Sequence, residues 1–294
     1  MPGLKEVKIR IASVQSTEQI TNAMKLVAAS KFRKAQAAIL KLRPYAARLG
    51  GILQDLNSDT GELPDNIYTK QKDPEKILLV AIASNRGLCG AFNANVIKAT
   101  LDLLDKTYSA QYRQGNVSLI CIGRKASEFF VKRKYNVVSV HDELLEQISF
   151  AKTRTFADEL IKSFSDKTYD QIHLIYNHFR NAVVHELTIE QFLPLPKAPP
   201  QDKSKSRIPD FILEPDKETI LAELIPKMLR IRLFKAIIDS FASEQGARMT
   251  AMQQATENAR ELIKELKLSY NKARQAAITK EILEIVSGAE ALKG

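Results

Sequence analysis

The chain has 294 residues, 45% of them hydrophobic and 27% charged, with a net charge of +10 and two cysteines. That is ample apolar content for one or two domains with a real core, and too few thiols for a disulfide framework or a zinc cluster. No run of about 18 uninterrupted apolar residues occurs, so no bilayer-spanning helix is expected.

The start, Met1-Pro2-Gly3-Leu4-Lys5-Glu6, lacks the apolar stretch and cleavage site of a signal peptide. Helical character begins almost at once, which argues against a detachable transit peptide. From Val7 the first segment repeats apolar or small residues at steps of three and four: Val7, Ile11, Val14, then Thr21, Met24, Ala28, Phe32, Ala35, Ile39, Leu42, Ala46 and Leu49. This is the narrow seam of a coiled coil rather than the broad face of a globular helix. The seam predicts a helical segment over residues 1–57, and many of its positions are small enough for a partner helix to approach closely. The same segment carries ten Lys/Arg against Glu6, Glu18 and Asp55, whereas residues 216–294 carry thirteen against eleven acids. The excess charge therefore sits on the first rod, at Lys25, Lys31, Arg33, Lys34, Lys41, Arg43 and Arg48. It is either a solvated face or a surface for an acidic partner, protein or nucleic acid.

Asp59, Gly61 and Pro64 end the rod, and residues 58–75 read as an irregular link. Residues 76–193 then alternate strand-like and helix-like runs. Lys76-Ile77-Leu78-Leu79-Val80-Ala81-Ile82-Ala83-Ser84 is a continuous apolar strand, as in a buried parallel sheet. Further strands are expected near 117–123, 136–140, 170–177 and 183–192, with helices near 91–108, 124–134 and 149–166. The pattern is that of an open, Rossmann-like α/β domain. Residues 194–215, with Pro194, Pro196, Pro199 and Pro200 followed by a polar run, form a solvated connector.

The final segment, 216–294, carries the matching stripe: Phe234, Ile237, Phe241, then Met249, Met252, Ala255, Ala259, Leu262, Leu266, Tyr270 and Ala273. Pro226 is expected to kink or restart this helix. At about 1.5 Å per residue the two rods reach roughly 80 and 110 Å. Antiparallel pairing would leave perhaps twenty or more residues of the longer rod without a partner. That tip is apolar on more than one side, so it is either received by something or folded back and frayed. The overall expectation is an α/β fold plus a long coiled coil, with antiparallel terminal helices flanking the α/β domain.

Motifs for chemistry are sparse. Ser84-Asn85-Arg86-Gly87-Leu88-Cys89-Gly90 follows the first strand, where a nucleotide-binding fold puts its phosphate loop. It lacks both Gly-x-Gly-x-x-Gly and Gly-Lys-Ser/Thr, so a tight turn around Gly87 or Gly90 is the reading it supports better. His141, His173, His178 and His185 show no metal-ligand spacing, and His185-Glu186 lacks the second histidine of a zincin. Gly-x-Ser-x-Gly is absent. Cys89 and Cys121 fit buried core thiols in a reducing compartment. Catalysis by this chain alone is not expected. Nucleic-acid binding stays as the alternative, weakened because no aromatics interleave the basic residues.

Three motifs, in order, resemble the gamma subunit of the F-type ATP synthase across essentially the whole chain. They are Ile9-Arg10-Ile11-Ala12-Ser13-Val14 with Ile20-Thr21-Asn22-Ala23-Met24-Lys25-Leu26-Val27-Ala28-Ala29-Ser30-Lys31; the loop Ser84 to Gly90, where the family usually has Asp at the place of Asn85; and Ser243-Glu244-Gln245 with Ala247-Arg248-Met249, together with Ile278-Thr279-Lys280-Glu281-Ile282 through Gly288-Ala289-Glu290. The bacterial type is implied, since no chloroplast-type cysteine insertion is present. The resemblance implies a non-catalytic central rotor stalk that couples proton-driven turning of a c-ring to conformational change in catalytic beta subunits. It implies alpha, beta and epsilon subunits and the c-ring as partners, no nucleic acid, no cofactor or metal, no stable homo-oligomer, and only indirect contact with the membrane. Localisation would be peripheral, at the cytoplasmic face of the bacterial inner membrane. By the same resemblance Met24 and Lys25 lie near the acidic lever loop of beta, and Arg248 and, across the coil, Gln275 and Thr279 engage beta as a catch. Ile282, Ile285 and Val286 belong to an apolar tip turning in a sleeve. Lys31, Arg33 and Lys34 extend the basic track by charge alone, and Met24 is equally a seam residue.

Overall fold

In a computed structural model, the described residues are 4–58, 67–70, 72–181, 185–195 and 214–291. Asp59, Gly61 and Pro64 of the link, and most of the Pro-rich connector, lie outside them. Two helices dominate: α1 (Leu4–Ser58, 55 residues) and α7 (Lys217–Ala291, 75 residues). Each contributes to both of the units into which the chain divides, Met1–Ala29 with Arg248–Gly294, and Ser30–Ala247.

In the first unit α1 and α7 pair antiparallel. Arg260 donates to Glu18 at 2.9 Å, Thr21 and Thr256 share a hydrogen bond of 2.8 Å, and Lys25 donates to Gln253 at 2.9 Å. Numbers rise along one helix as they fall along the other, in constant register. Val7, Thr21 and Ala28 are buried on α1, and Met252, Thr256 and Ala259 on α7. Ile11, Val14, Met24, Leu262, Leu266, Tyr270 and Ala273 are half-buried between them. The small residues Ala28 and Ala259 let the helices approach, as the seam predicts. The two threonine hydroxyls meet in the interface with their donors satisfied, Thr256 also reaching the Met252 carbonyl at 2.8 Å.

Carried back to Leu4, this register meets α7 near Arg274. Ala277 is the last residue with any shelter, and all 13 residues from Ile278 to Glu290 are exposed. The exposed end from Ile278 to Glu290 is about 20 Å long. α1 is helical from Leu4 and already buries Val7, so the coil uses nearly its full N-terminal length.

In the second unit a five-stranded sheet has the order β3-β2-β1-β4-β5. Its strands are β1 (Ile77–Ile82), β2 (Val117–Ile122), β3 (Val137–Val140), β4 (Gln171–Phe179) and β5 (His185–Leu193). The first four are parallel, and β5 returns antiparallel beside β4. The uninterrupted apolar run of β1 is explained by its central place, with every residue buried. Alternate residues of the sheet feed two cores. Leu78, Val80, Ile82, Ile172 and Leu174 meet Phe156, Leu160 and Phe164 of α6 (Phe150–Ser165), Leu53 and Leu56 of α1, and Leu221, Ile225, Leu229, Leu233 and Ile237 of α7. On the other face Ile77, Leu79, Ala81 and Cys121 meet Val96 and Ala99 of α2 (Phe92–Asp102) and Phe130 of α4 (Arg124–Lys132).

Three features depart from the expected pattern. Pro226 does not restart α7, which runs unbroken through it. The carbonyl it deprives of a partner belongs to exposed Ala222, where water can serve, while Ile225 and Leu229 beside it are buried in the core. Residues 91–108 are not one regular helix: α2 ends in a π-helical turn, Leu103–Thr107, followed by the short α3 (Ser109–Arg113). A further one-turn helix, α5 (Glu143–Glu146), was not foreseen.

Candidate functional site

The loop after β1, residues 84–90, occupies the place where a nucleotide-binding fold holds phosphate. Its groups are spent on the protein itself. The Ser84 amide donates to Asn93 Oδ1 at 3.0 Å and the Ser84 hydroxyl to the Arg86 carbonyl at 2.7 Å. Asn85 donates to the Asp142 carbonyl and accepts from the Arg124 amide, both at 3.0 Å, while the Lys125 amide bonds the Ser84 carbonyl. These bonds tie the loop to the N-terminus of α4, as a tight structural turn would be. Asn85 uses a donor and an acceptor here, which an aspartate could not supply together. Gly90 takes the left-handed turn at φ +59°, and so does Leu88 at φ +61° with its side chain 64% exposed.

In a doubly wound sheet, ligands enter the crevice beyond the carboxyl ends of the strands where the order reverses, here between β1 and β4. That crevice is filled by the chain's own helices. Ser240 of α7 reaches the Ile82 carbonyl, Ala247 packs on Cys89 and Phe92, and Phe179 sits among Phe32, Ala35, Ile39, Ile238 and Ala242. Asp239 is fully buried there against His178 Nδ1 at 2.8 Å. Burial pushes its carboxyl above the usual range, opposed by His178, Lys235 and Arg43.

The remaining titratable groups are structural. His173 is buried against Tyr108, and desolvation lowers it to about 4. His141 lies over Phe156 and bonds Ser139 and Glu143. Cys121 is raised to about 12 by burial first and Asp142 second, an inert thiol. Among the described residues no cluster of His, Cys, Asp and Glu could hold a metal ion, and no helix is long and apolar enough to cross a membrane.

The functional side chains expected from sequence lie on the coil. Met24 is half-buried in the seam, and Lys25 is tied to Gln253. Arg248 is 8% exposed. Gln275 and Thr279 are exposed, the threonine hydroxyl bonding the Gln275 carbonyl. They are not across the coil from Arg248: all three belong to α7, separated by roughly 40 Å of helix. Ile282, Ile285 and Val286 are half or more exposed, with Ile278 and Leu283 beside them. Lys31, Arg33 and Lys34 are exposed on α1. Sequence reading assigned no role to several exposed apolar residues on α1, among them Ile9, Ile20, Leu26 and Val27. Their signal was available: they are large apolar residues off the seam stripe of a helix with one buried side.

Two long helices that form a coil and also complete the core of an α/β unit, with the ligand crevice closed and apolar residues displayed on the rod, define a stalk-type protein, one that transmits rather than catalyses. Comparison with known proteins agrees. The family model described as ATP synthase matches residues 3–292. The gamma chain of Flavobacterium johnsoniae is 50% identical over 294 residues, covering all of both chains, and that of Cytophaga hutchinsonii 47% identical over 293 residues, covering 99% of each. In fold, a chain of the Euglena gracilis mitochondrial ATP synthase superposes with a TM-score of 0.68 at 18% identity, over 98% of this chain and 94% of that one. The chain belongs to the ATP synthase gamma chain family, as bacterial relatives do. Its role is that of the non-catalytic central rotor stalk of the F-type ATP synthase.

Proposed function

We propose that this stalk couples proton-driven turning of a membrane-embedded c-ring to ATP synthesis and hydrolysis in a surrounding hexamer of alpha and beta subunits, with an epsilon subunit bound near its α/β base. Residues 1–57 and 216–294 serve as the rod and 76–193 as the base, joined by 58–75 and 194–215. The work is done by differential contact. A rod that touches each beta subunit differently at each angle favours a different beta conformation, and its own energy varies with those conformations in return. Met24, Lys25, Arg248, Gln275 and Thr279 are the rotor–stator contacts in this reading, and Ile282, Ile285 and Val286 the tip that turns in an apolar sleeve. The complex holds the chain at the cytoplasmic face of the bacterial inner membrane, with the c-ring between it and the lipid.

The observation that carries the reading is the tip: a helical end of 13 exposed residues displaying Ile278, Ile282, Leu283, Ile285 and Val286 to water. Apolar surface of that density on a helix without a partner calls for a receiving surface. Co-purification tests it. The chain expressed with its neighbouring subunits should emerge with a nucleotide-binding alpha/beta hexamer, and ATPase activity of the chain alone would overturn the reading. For the contacts, Arg248→Gln with Gln275→Ala should lower proton-driven ATP synthesis in reconstituted vesicles while the chain still assembles. Gln is chosen because reversing the charge at a site 8% exposed would bury a carboxylate. Undiminished synthesis in that double variant would remove both residues from the mechanism.

A further inference from the structure

A stalk that is turned from its base must not slip there. Within the second unit the base holds α7 by an apolar stripe, Leu221, Ile225, Leu229, Leu233 and Ile237, all buried in the sheet's core. Apolar attraction is non-directional, so this stripe opposes large rolls of the helix, which would expose it, more than small ones that keep it covered. Resistance to small rolls needs directional bonds on both flanks of the stripe, and such bonds are present.

Arg230 and Arg232 sit roughly 200° apart around α7, one on each side of the stripe. Arg230 Nε donates to Asp158 Oδ1 of α6 at 2.6 Å. Arg232 Nε donates to Glu190 Oε1 of β5, and its Nη2 donates to the Gln191 carbonyl at 2.9 Å. Glu190 is itself fixed, accepting from the Tyr176 hydroxyl at 2.8 Å. Two turns further on, Asp239 lies on the Arg232 flank and holds His178 at the end of β4. Both arginines are partly buried, at 26% and 20% side-chain exposure, so their bonds are less open to water and salt than surface pairs. A guanidinium fork on a carboxylate and a backbone carbonyl is also angularly strict, unlike an ammonium.

We propose that Arg230 with Asp158 and Arg232 with Glu190, reinforced by Asp239 with His178, form a torsion lock that stops α7 from rolling in its α/β base, so that torque applied to the base reaches the rod without slip. These are positioning residues: they touch neither nucleotide nor stator. The inference rests on the rotor reading above and deepens it.

The test uses the assembled alpha/beta hexamer complex containing this chain, with a bead attached at Lys132→Cys on exposed α4; the native thiols Cys89 and Cys121 are buried and will not compete. With the hexamer fixed to a surface and stalled, the angular variance of the bead reports the torsional compliance of base against rod. Arg232→Gln and Glu190→Gln should each raise that variance about twofold and their combination no further, whereas adding Arg230→Gln should raise it again, because the flanks act independently. Steady-state ATP hydrolysis should change little, since it needs no torque through the base. The exchange Arg232→Glu with Glu190→Arg should recover part of the stiffness. Should Gln at 232 fail to assemble, Lys keeps the charge, loses the fork and should still raise the variance. Unchanged variance in an assembled Arg230→Gln, Arg232→Gln double variant overturns the lock. A wild-type bead that does not rotate with ATP would instead overturn the rotor reading itself.

Discussion

Acidification should expose one buried histidine. His173 Nε2 lies 2.7 Å from the Tyr108 hydroxyl, which lies 3.1 Å from Gln171 Oε1. The Gln171 amide donates to Gln191 Oε1 at 2.8 Å, and the Gln191 amide to the Pro194 carbonyl at 2.8 Å. Read from the far acceptor backwards, every donor has its acceptor only if Nε2 carries the histidine proton. Nδ1, buried without a hydrogen-bond partner, then carries a lone pair rather than a proton. Protonating it would bury a charged N–H with nothing to receive it. Desolvation accordingly lowers this group from 6.5 to about 4. The unfolded chain takes up the proton first, so the stabilisation is whole above about pH 6.5, is lost as pH falls toward 4, and is flat below. At about 1.4 kcal/mol per unit, the loss over that window is about 3 kcal/mol, a large share of a domain's stability. His173→Gln removes the titration. Urea unfolding between pH 7.5 and 4 should show the native protein losing about 3 kcal/mol more than the variant across the window, beyond the acid sensitivity both share. Parallel losses in the two proteins would refute the reasoning, because they would mean His173 charges as readily folded as unfolded.

Other expectations follow from the same coordinates. Gly123→Ala should cost about 3 kcal/mol or more by denaturant unfolding, since φ is +102° and a Cβ would stand 2.7 Å from the Ala83 carbonyl oxygen. Gly90→Ala, at φ +59° with open space around it, should cost only about 1 kcal/mol by the same measurement. Truncation after Ala277 should leave the thermal midpoint of the isolated chain within about 1 °C of the full-length value, because residues 278–290 shelter nothing. Met252→Ala, at a seam position 4% exposed, should cost about 2–4 kcal/mol in the coil, read as a lower melting temperature by helical circular dichroism. Tyr108→Phe should cost about 1–3 kcal/mol, as it strands both His173 Nε2 and Gln171 Oε1.

Much of this fold is written in periodicity. Six consecutive apolar residues, half of them β-branched, fit a strand covered on both faces, and Ile77 to Ile82 is that strand; steps of three and four fit a buried helical stripe, and Val7 to Ala28 is that stripe. What periodicity does not carry is which neighbour an exposed group meets. The lengths of the rods were legible, but the register of the coil depends on Thr21 meeting Thr256 and Glu18 meeting Arg260, pairs about 240 residues apart in sequence. Nothing in the sequence places Asp158 and Glu190 beside Arg230 and Arg232. The π-helical turn at Leu103–Thr107 is equally invisible: one extra residue in a turn leaves the apolar stripe almost unchanged while it brings Tyr108 round to His173. Pro226 misled for the opposite reason, a strong local signal overruled by a core that holds Ile225 and Leu229 on either side.

The filled crevice at the end of β1 and β4 has a consequence for how such a machine stays tuned. Sheets of this topology elsewhere offer that cleft to nucleotides. With Ser240, Ala242 and Phe179 packed where a ligand would enter, the cleft is occupied by the helix that the base carries. Opening it to a ligand and loosening α7 in its seat would be one and the same event.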